Sequence, residues 1–583
     1  MEHSSGPATA PEAPAAVLFS PDGYSLSGPR LMGRQSAGAG FLRAFVRACA
    51  GRRASAVLLS PSHGVAAGQA FAEAGHAGPL DLLQMDGLER VAGPGCLYVP
   101  MPGLSELAWR RTALGERSFS LCGVTHTIAS HAVMSALADL PTGPARPWDA
   151  VICTSRAVRD SVSVLLEERV EYLRWRLGAQ RFELPQLPVI PLGVHTDDFR
   201  LEPTEREGAR AALGVAPQDR VVLFAGRLSF HAKAHPHPML VALERCLPVM
   251  PAGARLHLVQ CGWHANDHIR NAFAEAQQVL APGVVHHILD GRDPRQRRGA
   301  WAVADLFVSL SDNVQETFGL TPVEAMAAGL AVVASDWDGY RDTVRHGIDG
   351  FLVPTVLPPP GDGEDLALRY DAGLDSYDVY CGLACALTAV DVEAVEAAFR
   401  KLLEDPALAR RMGEAGRQRA TQTFDWSVVM TRYLDLWQRL AELRRHTDDL
   451  HGPNPLKCSP DRLDPFRLFA GYASRTLTPE ARLRLRERPD RVRFESVRNL
   501  AVHRYAVAVL PDWPLVETLL EALEASPGLT VSEVLAPLSI GARPDARRAL
   551  VWLMKVGWVG LDPATQPART TVPGGGSVSG HDQ

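Results

Sequence analysis

The chain has 583 residues, 46% of them hydrophobic and 22% charged, with a formal net charge of -6. That length exceeds what one hydrophobic core supports and indicates three or four units at roughly 100–200 residues each, while the ordinary composition excludes fibrous and disordered classes. So small a net charge on so long a chain excludes whole-molecule attraction to nucleic acid or acidic lipid. Residues 1–14 are small, polar and proline-rich, without the basic start and apolar run of an export signal, and are expected to be disordered.

From residue 15 short apolar runs alternate with helical stretches. Strands are expected at 15–19, 54–59, 96–99, 118–124, 150–154 and 188–192, with a glycine-rich loop at 33–40 before a helix over 41–50. A polar connection over 197–218 precedes a second series, with strands at 221–225, 255–260, 284–289, 304–309, 330–335 and 350–353. Alternating strand and helix signals predict parallel sheets covered on both faces. The expected domains are therefore two doubly wound Rossmann-like α/β units, 15–205 and 206–447, facing a crevice outside the carboxyl ends of their strands. Residues 355–387 are too long and irregular for a minimal connection and read as a surface insertion. Helical patterns over 392–419 and 426–445 close the second unit. A proline-rich linker at 448–464 follows, then a small mainly helical appendage at 465–562 that resembles a winged-helix module, and a disordered tail at 563–583.

No stretch approaches the ~20 apolar residues of a membrane span. The nine cysteines show no CxxC or ligand spacing, which indicates reduced thiols. A cytoplasmic protein, at most peripheral to a membrane and without disulfides or structural zinc, is expected.

The densest chemical signal is SLSDNVQETFGLTPVEAMAAG over 309–329, where seven residues separate Glu316 from Glu324. Thr321, Pro322 and Glu324 form a capping-box pattern with proline at the first helical position, so a helix is expected to start there. Its free N–H groups and positive dipole end suit an anionic pyrophosphate. A second signal is Phe224-Ala225-Gly226-Arg227-Leu228 with Lys233 six residues after Arg227. Two cations there suit an anionic group or negative charge that develops in a transition state. Lys233 is one of only four lysines in the chain, which sets it apart from a solvated surface residue.

These segments resemble the paired-glutamate and Arg/Lys signatures of the retaining family 4 (group 1) glycosyltransferases, over about residues 15–445. The resemblance implies the GT-B fold of two facing Rossmann-like domains and transfer of a hexose from a nucleotide diphosphate sugar. Glu316, Arg227, Lys233 and His126 would then carry catalysis. Glu324, Phe318, Gly319, Leu320, Thr321, Gly226, Gly262 and Asp290 would bind the donor, with Glu324 on the ribose and Gly262 and Asp290 beside the base. Gly38 and Gly40, in the 33–40 loop, would contact sugar or acceptor. The donor is a co-substrate, and no metal or other cofactor is expected. The acceptor is a saccharide, lipid or small molecule that the sequence does not identify.

Ala234 departs from the glycine frequent after the family's lysine, and His195 from its usual aspartate. His231, His235 and His237 are interrupted by Pro236 and Pro238 and read as a loop lining rather than metal ligands. Asp336-Trp337-Asp338 imitates the DxD of a different glycosyltransferase fold and reads as a turn. A same-fold sugar-nucleotide epimerase or phosphorylase is an alternative, because fold does not fix reaction. A non-catalytic nucleotide-sugar-binding scaffold with a winged-helix-like tail is another. The arginines of 482–498 are interleaved with Glu487, Asp490 and Glu495, which favours a solvated face over a nucleic-acid contact.

Overall fold

A computed structural model describes residues 12–24, 33–447, 456 and 458–562. They fall into two compact units, divided after Cys458. The larger unit holds two six-stranded parallel sheets. The first contains β1 (Ala16–Phe19), β2 (Ala54–Leu58), β3 (Leu80–Leu83), β4 (Cys96–Val99), β5 (Ser120–Val124) and β6 (Ala150–Ile152), ordered β3-β2-β1-β4-β5-β6. The second contains β7 (Arg220–Ala225), β8 (Leu256–Gly262), β9 (Val285–Asp290), β10 (Leu306–Ser309), β11 (Ala331–Ser335) and β12 (Gly350–Val353), ordered β12-β11-β10-β7-β8-β9. Both follow one doubly wound scheme, in which the direction of strand addition reverses beside the first strand. Every residue of β1, β2, β4, β8, β10 and β11 is buried. This two-sided burial is why the sequence shows continuous apolar runs instead of alternation. After β12 comes a short antiparallel pair, β13 (Thr355–Val356) with β14 (Ala389–Val390).

Several expectations need correction. Residues 33–40 are not a loop but the opening turns of a helix, Gly33–Cys49. Residues 188–192 form only an isolated bridge, Cys153 with Val189, while the edge strand β3, interrupted by Asp81, escaped the pattern. The 392–419 run is two helices, Val392–Glu404 and Pro406–Arg419, because Asp405 caps the second just before its proline. Residues 12–14 are ordered: Ala13 is buried and its N–H donates to Arg53 O at 2.8 Å. Residues 1–11 of the expected disordered start, 448–455 and 457 of the expected linker, and the expected tail 563–583 lie outside the described residues.

The helix Trp426–His446 belongs to the second half of the sequence but packs into the first lobe. Trp426, Tyr433 and Trp437 meet Phe41, Phe45 and Tyr98 there. The chain thus passes between the lobes twice, and the two passages pair with each other. Val194 N–H donates to Phe424 O at 2.8 Å, Trp426 N–H to Val194 O at 2.9 Å, and Thr196 Oγ1 to Asp425 Oδ2 at 2.7 Å.

The smaller unit has its own core, with Phe494, Leu519, Leu520, Leu550, Leu553 and Trp558 among its buried residues. Helices Trp513–Ala525 and Arg543–Lys555 pack beside an antiparallel pair, β15 (Leu483–Leu485) and β16 (Val559–Leu561). Thr530 and Glu533 form a reciprocal capping box on the short helix Val531–Leu535.

Candidate active site

In the second lobe the strand order reverses between β7 and β10, and the loops leaving those two strands carry the expected charges. The structure brings them together. Lys233 Nζ donates to Glu316 Oε2 at 2.9 Å, and Arg227 Nη2 donates to Oε1 of the adjacent Gln315 at 2.9 Å. Lys233 is about a third exposed and Glu316 about an eighth, at 31% and 12% of their side chains, so the pair is largely screened from solvent.

The other Glu316 oxygen accepts the backbone N–H of Thr317 at 3.3 Å and of Gly319 at 3.1 Å. Glu316 therefore holds the entry to the following helix, which corrects the expected capping box. The helix runs Leu320–Ala327, two residues earlier than expected, with Gly319 at its N-cap and no cap from the Thr321 side chain. Gly319 adopts φ +81°, and a Cβ there would lie 2.0 Å from Tyr340 Cε1, so only glycine fits. Burial raises the Glu316 pKa, but the charge and hydrogen bond of Lys233 and the two N–H donors outweigh it. The carboxyl is held below its ordinary value and is ionised.

Glu324, inside that helix, has no such partners. Burial pushes its carboxyl up to about 7, partly offset by the charge of Arg297. Phe318 is buried against Phe424, with ring centroids 6.0 Å apart, so its side chain belongs to the core and only its backbone lies on the loop. At the ends of β7, β8 and β9 the backbones approach closely. Gly226 N–H donates to Cys261 O at 2.9 Å and Gly291 N–H to Gly262 O at 3.1 Å. A Cβ on Gly262 would lie 1.9 Å from Gly226 O. The Asp290 carboxylate, expected beside a base, is gripped by Arg292 Nε at 2.9 Å and Nη2 at 2.7 Å.

From the first lobe, His126 carbonyl oxygen accepts Thr317 Oγ1 at 3.0 Å, and Thr154 Oγ1 lies 3.5 Å from Thr317 O. Burial, reinforced by the charge of Arg34, lowers the His126 imidazole to about 4 and keeps it neutral. At Gly38 and Gly40 the absent side chain makes room for close packing. A Cβ would lie 1.9 Å from Gly23 O at the first and 2.6 Å from Trp426 Nε1 at the second. Of the three loop histidines, His235 Nδ1 accepts the His237 N–H at 3.3 Å, while His231 O accepts Asn313 Nδ2 and His235 N–H donates to Asp312 Oδ1. Among the described residues no three His, Cys, Asp or Glu side chains are grouped as a metal requires.

Asp338 was read only as part of a turn, which it is, since Tyr340 N–H closes back on Trp337 O. It also holds a non-glycine φ of +42°. Its Oδ1 accepts Ser155 Oγ of the first lobe at 3.1 Å, while Oδ2 is buried without a hydrogen-bond partner. Burial, then the charge of Glu316, pushes this carboxyl up to about 8. Nothing local in the sequence signals that environment, because it depends on β10, β11 and the first lobe meeting.

The glycosyl transferases group 1 family pattern matches residues 205–360. An alpha-maltose-1-phosphate synthase of Mycobacterium tuberculosis is 32% identical over 259 residues, covering 43% of this chain and 57% of that one. A phosphatidyl-myo-inositol mannosyltransferase of the same species is 30% identical over 268 residues, covering 46% and 57%. The chain thus spans little more than half the length of these relatives. A crystal structure of Anabaena HepE in complex with UDP and glucose is 18% identical with a TM-score of 0.48, covering 73% of this chain and 100% of that one.

Proposed function

We propose, on the premise that residues 205–360 belong to the group 1 glycosyl transferases, that the protein transfers a hexose from a nucleotide diphosphate sugar to an acceptor hydroxyl with retention of configuration. The observation that carries this reading is the convergence of Arg227, Lys233 and Glu316 where the second sheet reverses its strand order. A diphosphate seated against Arg227, Lys233 and the N–H groups opening the helix Leu320–Ala327 gives Lys233 a new anionic partner and releases Glu316 towards the sugar hydroxyls. As the bond to the sugar breaks, charge accumulates on the diphosphate, and the two fixed cations stabilise it without reorganising. They supply the charge that a metal provides in other transferases. The acceptor hydroxyl attacks from the face the diphosphate leaves and gives its proton to the departing diphosphate oxygen, so the configuration is retained. Neutral His126 stands on the first-lobe side of the sugar, and Glu324 accepts from the ribose hydroxyls. The names of the maltose-1-phosphate synthase and mannosyltransferase relatives support a hexose as the transferred group.

The donor is found by thermal shift with a panel of UDP-, ADP- and GDP-sugars, since a ligand of the folded state raises Tm by mass action. With that donor, Lys233→Ala and Glu316→Ala are expected to lower turnover by about 100-fold or more while circular dichroism stays unchanged. Near-native turnover in both variants would overturn the assignment.

A further inference from the structure

Residues 357–388 leave and rejoin the second lobe at one place. The antiparallel pairing of β13 with β14 gathers the excursion between them at its base. The irregular insertion expected from sequence is in fact two helices, Glu364–Asp371 and Tyr377–Ala386. Their inner side rests on the second lobe. Cys385 Sγ donates to Asp312 Oδ1 at 3.1 Å, and a Cβ on Gly382 would lie 3.0 Å from the Cβ of His231. Leu368 and Val379 of these helices, and Leu374 between them, are exposed.

The far end of the excursion reaches the first lobe. Tyr370 hydroxyl accepts the backbone N–H of His131 at 2.8 Å and lies 3.5 Å from Ala129 O, its ring stacked on Tyr380 at 4.2 Å. Tyr377 hydroxyl lies 3.3 Å from Thr127 Oγ1. Thr127 follows His126, and Tyr377 stands near enough to Arg227 for that charge to act on its phenol. A segment rooted in one lobe is therefore tied to the other beside His126 and Arg227, two of the four expected catalytic residues. None of its buried residues joins an apolar core of the first lobe; the tie consists of the two hydroxyl contacts, an edge-on contact of the Tyr370 and His131 rings at 5.7 Å and the approach of Asp371 Oδ1 to His131 Nε2 at 3.9 Å.

We propose that this excursion is the acceptor-side wall of the site, fastened to the first lobe by Tyr370 and Tyr377, and that Tyr377 is a specificity-determining residue that limits the girth of the acceptor. The donor parts, Lys233, Glu316 and the helix Leu320–Ala327, all come from the second lobe. An acceptor approaching from the first lobe passes Thr127 and meets Tyr377 before it meets the sugar. The inference rests on the transferase reading above.

Two measurements on the full chain test it. In Tyr370→Phe/Tyr377→Phe, which keeps both rings, amide hydrogen exchange over residues 364–386 is expected to accelerate at least fivefold, with the sheets unchanged. Tyr377→Ala is then compared with the parent using UDP-glucose, ADP-glucose and GDP-mannose as donors and glucose, maltose, maltoheptaose and water as acceptors. The yield on maltoheptaose relative to water is expected to rise at least fivefold. Unchanged exchange in the double variant overturns the fastening, and the same product profile in both chains, water included, overturns the role of Tyr377. If neither chain consumes any donor, the transferase reading and the acceptor role fall together, and the exchange result still decides the fastening.

Discussion

Glu316, Glu324 and Asp338 are three carboxyl groups of the second lobe whose surroundings set them in different protonation states. Glu316 has a lysine and two N–H donors, and stays ionised. Burial pushes the Glu324 carboxyl up to about 7, partly offset by the charge of Arg297. A carboxylate accepts two ribose hydroxyls where a carboxylic acid must also donate, so nucleotide affinity should rise as pH increases through 7. Calorimetry with UDP and ADP is expected to show a two- to tenfold tighter Kd at pH 8 than at pH 6, about one coupled proton, and Glu324→Gln should flatten that dependence. Asp338 gives the opposite lesson. Its folded value of about 8 lies above the roughly 3.9 of an unfolded chain, so between those values the native protein retains a proton that the unfolded chain has released. Stability therefore falls as pH rises across that window. An asparagine at this position would bind no proton, would keep an oxygen for Ser155, and tolerates φ > 0. Asp338→Asn is expected to add about 1–2 kcal/mol at pH 8, discounted for partial exposure, with no gain at pH 4, read from urea unfolding at both pH values.

At the scale of elements, the site depends on strand ends that only glycine allows to meet. Gly262→Ala places a methyl 1.9 Å from Gly226 O, a backbone atom that cannot rotate aside. A loss of about 2–3 kcal/mol is expected from such overpacking, together with lost nucleotide binding, measured by denaturant unfolding and calorimetry. Most elements were legible because two-sided burial writes a strand as an unbroken apolar run. β4 and β12 end where their runs end, and Glu316 was placed just ahead of its helix by the 309–329 pattern alone. The errors share a physical source. The glycines of 33–40 signal freedom of the backbone, but the structure uses two of them for close approach within a helix, to Gly23 and to Trp426. The Thr321 box lost to Gly319 because Tyr340 forces a glycine at the helix entry, and Tyr340 arrives from beyond another strand. Phe318 looked like part of a binding motif, yet its partner, Phe424, lies over 100 residues away in the sequence.

For the whole molecule, the contacts between lobes were the least legible, since Thr317 with His126, Ser155 with Asp338 and Tyr377 with Thr127 join positions with no sequence relation. The insertion could be recognised by its length, but not its reach. The paired passages at 194–196 and 424–426 bear on how those contacts can open. Two strands of chain bonded side by side form a double-leaf hinge, and a π-helical turn, Ala420–Phe424, adjoins one leaf. With Trp426 anchored in the first lobe and Asp425 holding Thr196, sliding would break the ladder, whereas a swing needs only a few dihedral changes at the pivot. A change in the angle between the lobes at this pair is thus a rotation rather than a slide.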